Sequence, residues 1–226
     1  MHATSLLRAA LLTGERVAVT EPGESEDIGK DWHDPAALTE YGDREPTEPW
    51  TWAGPARSVT GPTWGGCAEV VQWILTAGRF PADPAVLDGG VLLLETSEEL
   101  IPARELGWIM RALGERGLLA AVDAVLVARP PTSTFDVRPT PDERAARGAE
   151  QREVAIETVH RYNPDAVIVV GCALRAHPSP VDPPVRRRRH GRRRVADTVG
   201  GLLLKTSRRP DRDRLAARLR VARRHR

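Results

Sequence analysis

Three aliphatic runs constrain the fold of this chain more than any other feature: Val91–Glu95 (VLLLE), Ala124–Ala128 (AVLVA) and Ala166–Val170 (AVIVV). Each is continuous rather than alternating, which is the pattern of a strand covered on both faces. Between the first two, residues 103–116 place Leu106, Ile109, Met110 and Leu113 at helical spacing, with Gly117 as a stop. Between the second and third, Thr140-Pro141-Asp142-Glu143 reads as a helix start. Thr is the N-cap, Pro takes the first helical position and Glu closes a capping box. That helix is expected to reach about Tyr162, where Asn163-Pro164 ends it. Strand, helix, strand, helix, strand requires a parallel sheet with right-handed crossovers, so the expected class is α/β with a parallel βαβαβ core.

Upstream, Gly65-Gly66 reads as the opening of a helix that carries Val70, Val71, Ile74 and Leu75 and ends near Gly78. Residues 21–63 are rich in Pro, Gly, Glu and Asp and read as a long extended connection. Before it, residues 3–13 predict a short amphipathic helix through Leu6, Leu7, Ala10 and Leu11. Trp32, Trp50, Trp52 and Trp64 are too many large rings for an idle linker. Two readings stay open for them: they pin the connection onto the domain, or they stack on a ligand. The expected organisation is therefore a remnant helix and connection over 1–63, an α/β domain over 64–171 and a tail over 172–226.

Charge separates that tail from the rest. Residues 1–171 hold 15 basic and 27 acidic side chains, a net of −12, whereas 172–226 hold 18 and 4, a net of +14. No apolar run approaches the ~20 residues that span a bilayer. The first residues lack a small-residue cleavage site, which argues against a signal peptide. Cys67 and Cys172 have no CxxC partner. That spacing fits a reduced, cytoplasmic protein without a structural metal, and no cofactor is implied.

Ligands in parallel sheets collect at the carboxyl ends of the strands. Glu95 closes the first run and Gly171 follows the third. A glutamate there either serves the N-terminus of the next helix or orients a catalytic histidine. Ser97, two residues on, reads as a helix-start residue.

The segments WGGCAEVVQW (64–73), LDGGVLLLETSEEL (87–100), RALGERGLL (111–119) and GAEQREVAIETVHRYNPDAVIVVG (148–171) together resemble the C-terminal half of the LD-carboxypeptidase family. The resemblance is to the branch that includes the microcin C immunity proteins. It implies a serine peptidase with a Ser-His-Glu triad that cleaves an amide bond next to a free carboxyl end. The substrates it implies are muropeptides or microcin C-type peptidyl nucleotides, and it implies a homodimer. Glu95 matches the triad glutamate; Trp50 and Trp52 match connection tryptophans that face the nucleotide part of the substrate.

The chain departs from that pattern twice. The family's nucleophile lies upstream in a Gly-Tyr-Ser-Asp setting, and this tetrapeptide does not occur here. The expected chain is thus a fragment, inactive alone, whose nucleophile domain would be encoded separately. The family's histidine follows the third strand in a Phe-Gly-His-Thr-x-Pro-Gln-Trp setting, where this chain has GCALRAHPSPVDPPVRRRRHG. Codons compatible with Ala173–Arg187, read one base later, yield Arg-Phe-Gly-His-Thr-Arg-Pro-Gln-Trp-Ile-Leu-Pro-Tyr-Gly. A frameshift near Cys172 is therefore expected, with His177 and His190 incidental to the family histidine. The tail, RRRRHGRRR (186–194) above all, would hold nucleic acid only non-specifically. It has no aromatic ring to stack on bases. A non-catalytic ligand-binding remnant and an Arg-rich nucleic-acid-binding protein are the alternative functions. Most of the tail is expected to be disordered, with a basic helix over 211–224.

Overall fold

In the computed structural model, the described residues are 17–19, 21, 23–31, 33–79, 83–172, 201–206 and 217–222. The helix expected over 3–13, Trp32, His177, His190 and the disorder expected for most of the tail fall outside them. In chain order the elements are β1 (Val17–Val19), β2 (Glu24–Glu26), β3 (Arg44–Pro46), β4 (Thr51–Ala53), β5 (Ser58–Cys67) and α1 (Ala68–Thr76). There follow β6 (Val91–Glu95), α2 (Ala103–Glu115), α3 (Leu118–Ala121), β7 (Ala124–Ala128), α4 (Pro141–Tyr162), β8 (Val167–Cys172), β9 (Gly201–Thr206) and β10 (Ala217–Ala222).

The sheet runs β1-β9-β10-β5-β6-β7-β8-β4, and β2 pairs with β3 in a separate ribbon. Its centre, β5 to β8, is parallel and laid out in sequence order. Right-handed crossovers taken always in one direction leave every helix on the same side of the sheet. The side chains agree. Leu92, Leu94, Val125, Val127, Ile168 and Val170 pack with Leu75, Leu106, Ile109, Met110 and Val159 in one core. The alternate residues Val91, Ala124, Leu126, Val167 and Val169 form a second core on the opposite face, with Trp50, Val59 and Val221. Both faces being covered explains the continuous apolar runs, and each fully buried Leu or Ile contributes roughly 1.5–3 kcal/mol.

Helix α4 begins as expected. The Thr140 hydroxyl accepts the Glu143 N–H at 3.3 Å, and the Glu143 carboxylate accepts the Thr140 N–H at 2.8 Å. No described helix is long and apolar enough to cross a membrane.

Three expectations are corrected. Gly65-Gly66 closes β5 instead of opening a helix, and α1 starts at Ala68. The parallel sheet therefore has a fourth strand, and it extends into residues read as connection. Gly65 is at φ +137°, where a Cβ would overlap the Leu93 carbonyl oxygen of β6. Gly65, which reads as a breaker, is there because two backbones approach closely. Second, the connection is not extended throughout: Pro35–Leu38 forms a 3-10 turn, while β4 pairs antiparallel with β8, setting Trp52 opposite Val169. Third, the helix expected over 211–224 is absent where the chain is described, since Ala217–Ala222 is a strand paired with β5 and β9. Arg and Leu at helical spacing yield there to an open sheet edge, and Val221 is buried against it.

Candidate functional site

The parallel strands deliver Cys67, Glu95, Ala128 and Cys172 at their carboxyl ends. Cys67 and Glu95 are register partners on adjacent strands. A cleft opens above them, walled by Thr96–Leu100 on one side and by Thr134, Asp136 and Val137 of the β7–α4 loop on the other. Among the described residues its lining carries the carboxylates of Glu95, Glu98, Glu99 and Asp136 and no basic side chain. Glu95 itself is half-buried. The helix that follows it starts only at Ala103, with Pro102 as its N-cap, so Glu95 does not sit at that N-terminus.

Sequence reasoning missed Glu69, in the first turn of α1. Its Oε1 accepts the Ser97 hydroxyl at 2.7 Å and the Ser97 N–H at 3.1 Å, while Oε2 accepts the Cys67 thiol at 3.2 Å. Ser97 is thus no helix start; it binds Glu69 and its Oγ accepts the Glu99 N–H at 3.2 Å. Burial alone would push the Glu69 carboxyl up, but the Ser97 hydroxyl and the other donors hold it below its ordinary value. The available signal was an acid two residues past a strand end; its reach across to β6 is tertiary.

Both thiols are held protonated. Burial pushes the Cys67 thiol up, and the Glu69 carboxylate adds to that. Burial pushes Cys172 up to about 12. Neither is a ready nucleophile at neutral pH. Among the described residues no group of His, Cys, Asp and Glu is arranged to hold a metal ion.

At the other pair of strand ends, β7 and β8, the connection lies docked. Arg144 grips Glu45 through two bonds of 2.8 Å, and Arg152 donates to Glu48 at 3.0 Å. Asp27 accepts the Thr132 N–H at 3.0 Å and its hydroxyl at 2.9 Å, and Arg129 donates to the Ser25 hydroxyl. Burial lowers the Arg129 pKa, opposed by the negative charges of Glu48 and Asp27. Of the connection tryptophans, Trp50 is only 6% exposed, in the second core. Its ring centroid lies 6.4 Å from that of half-buried Trp52, and its indole N–H has no partner among the described residues. The structure brings these two rings together but does not bring them to the Glu95 cleft.

The LD-carboxypeptidase C-terminal domain matches residues 60–179, more than half of the chain. This chain belongs to that family. Its fold agrees with those of several solved proteins. An MccF-like protein from Streptococcus pneumoniae, solved with AMP, superposes with a TM-score of 0.57 at 22% identity, over 76% of this chain and 50% of that one. An MccF-like protein from Bacillus anthracis str. Ames gives 0.54 at 11% identity, over 98% and 55%. The microcin C7 self immunity protein MccF, as an inactive mutant without ligand, gives 0.51 at 13% identity, over 74% and 44%. This LD-carboxypeptidase-type chain spans about half the length of these solved relatives. No protein of curated function matches it.

Proposed function

We propose that the chain is the carboxylate-bearing part of an LD-carboxypeptidase-like serine peptidase, which hydrolyses an amide bond next to a free carboxyl end. The observation that carries this reading is Glu95, at the end of a buried parallel strand, within the matched domain and facing an open cleft. In the reaction a serine attacks the amide carbonyl and a histidine takes its proton, then returns it to the leaving amine. Glu95 holds that imidazole in the right tautomer and stabilises its protonated form.

The chain by itself is expected to supply neither partner. Ser97 is committed to Glu69, and both thiols are held protonated. The family match runs past Cys172 to residue 179 and stops before the arginine run, so the proposed frameshift near Cys172 rests on the codons alone. Sequencing the gene across codons 165–190 tests this: a +1 frame without the histidine motif overturns it. For function, the chain is assayed on a muropeptide tetrapeptide and on a microcin C analogue, alone and with a nucleophile-bearing N-terminal domain. No turnover is expected alone. Turnover that needs no added chain and is abolished by Glu95→Ala would overturn the inactivity; complemented turnover indifferent to Glu95→Ala would overturn its role.

A second reading is a ligand-binding remnant, favoured by the Trp50–Trp52 pair and by a Trp50 indole N–H with no partner among the described residues. The pneumococcal relative was solved with AMP. Quenching of tryptophan fluorescence by AMP, lost in Trp52→Ala, would support it over the peptidase fragment.

A further inference from the structure

We propose that Glu69 is a positioning residue for Glu95: its carboxylate clamps the segment that carries Glu95 onto the end of β5 and the start of α1. The functional meaning of the clamp rests on Glu95 being the triad carboxylate, whereas the clamp itself rests on geometry alone.

The parallel ladder between β5 and β6 ends at the Cys67–Glu95 pair. From Thr96 to Leu100 no strand among the described residues holds the chain. Glu69 supplies the next rung with a side chain. It offers an acceptor-only group to three donors: the Ser97 hydroxyl at 2.7 Å, the Ser97 N–H at 3.1 Å and the Cys67 thiol at 3.2 Å. Ser97 passes the constraint on, since its Oγ takes the Glu99 N–H at 3.2 Å. One carboxylate therefore fixes both the residue opposite Glu95 and the residue two positions after it.

Chemistry explains why this has to be an ionised glutamate. A carboxylate has about four lone-pair sites and no proton, so it satisfies three donors without conflict. A glutamine would turn an NH2 toward one of them. An aspartate is one methylene shorter and loses the reach to Ser97. The N-terminus of α1 favours a negative charge in its first turn, which keeps the group ionised. A first-turn acid commonly serves its own helix, but here its bonds reach the loop after a neighbouring strand. Hydrogen bonds to an ionised acceptor are about twice as strong as neutral ones, so the clamp is a stiff one.

The test uses the full chain, isotopically labelled, with Glu69→Gln and Ser97→Ala. In Glu69→Gln, exchange of the Ser97 amide is expected to accelerate by about tenfold or more while Leu126 in β7 is unchanged. The titration midpoint of the Glu95 carboxyl, followed by carbon NMR, is expected to move in Ser97→Ala as well, where the Glu69 charge is kept and its direct Coulomb effect is unchanged. Ser97→Ala, which loses only the hydroxyl, gives a smaller acceleration in the same segment. The double variant adds less than the sum of the two. Should Glu69→Gln fail to fold, Ser97→Ala carries the test alone. Unaltered Ser97 exchange and Glu95 titration, or acceleration shared equally by Leu126, would overturn the proposal. Neither readout involves turnover, so a failure here is distinct from a failure of the peptidase reading, which the Glu95→Ala assay addresses.

Discussion

The four parallel strands end in two unlike halves. Above β7 and β8 the connection is stapled down by Arg144, Arg152, Arg129 and Thr132. Above β5 and β6 the sheet opens into a cleft rimmed by carboxylates. Both halves use the same device, a carboxylate accepting from several donors. In one it fastens a strap that covers strand ends; in the other it fixes a segment beside strand ends that stay open. A parallel sheet offers all its strand ends to ligands in principle. Here the docked connection leaves only a smaller pocket at the β7 and β8 ends, lined by Arg129, Arg144, Arg152 and Gly171, while the Glu95 side is more open.

Three experiments press on this contrast. The largest effect is expected from Gly65→Ala, which puts a Cβ against the Leu93 carbonyl at positive φ. It would cost about 3 kcal/mol, read as a lower urea midpoint, because neither backbone can yield cheaply. An unchanged midpoint would mean that β5 does not press on β6 under the cleft. A smaller effect is expected from Arg144→Ala combined with Arg152→Ala. It should cost about 1–2 kcal/mol and speed proteolysis within residues 28–43, with Glu95 and its cleft unaltered. High salt should mimic part of it. Equal protection of the connection in both proteins would show that the second core, not the ion pairs, holds the strap.

The smallest effect is on the thiols. Cys67 should alkylate only as pH rises past the ordinary thiol range, because its raised pKa keeps it protonated at neutral pH. Cys172, pushed up to about 12, should stay silent until the chain unfolds. Glu69→Gln should move the Cys67 profile to lower pH and leave Cys172 alone. Loss of the Glu69 clamp by protonation has the opposite direction of pH: its lowered pKa keeps the stabilisation in place above the ordinary carboxylate range and removes it as pH falls below that range.

What was legible in the sequence was local. Val91–Glu95 and Ala124–Ala128 announced themselves because both faces of the sheet are covered, and Thr140 because a capping box is written in four adjacent residues. Glu95 was legible as a candidate from its place at a strand end. Strand β5 was not, since Gly61, Pro62, Gly65 and Gly66 are ordinarily breakers. For Gly61 and Gly65 the reason is the backbone across the way, which no local pattern displays. Glu69 was illegible for the same cause: its partner Ser97 lies 28 residues on. The connection was half legible, its tryptophans signalling attachment but not the arginines that complete it.

Placing every helix on one side of the sheet sets an order of assembly. That side is built from neighbouring strand–helix–strand units whose contacts are short-range in sequence, so it can form early. The other side needs Trp50 to reach Val167, Val169 and Cys172, at the far end of the domain. Loop closure of that length is slow relative to helix formation. The indole of Trp50 is therefore a built-in clock, and its fluorescence during refolding should report the last event rather than the first.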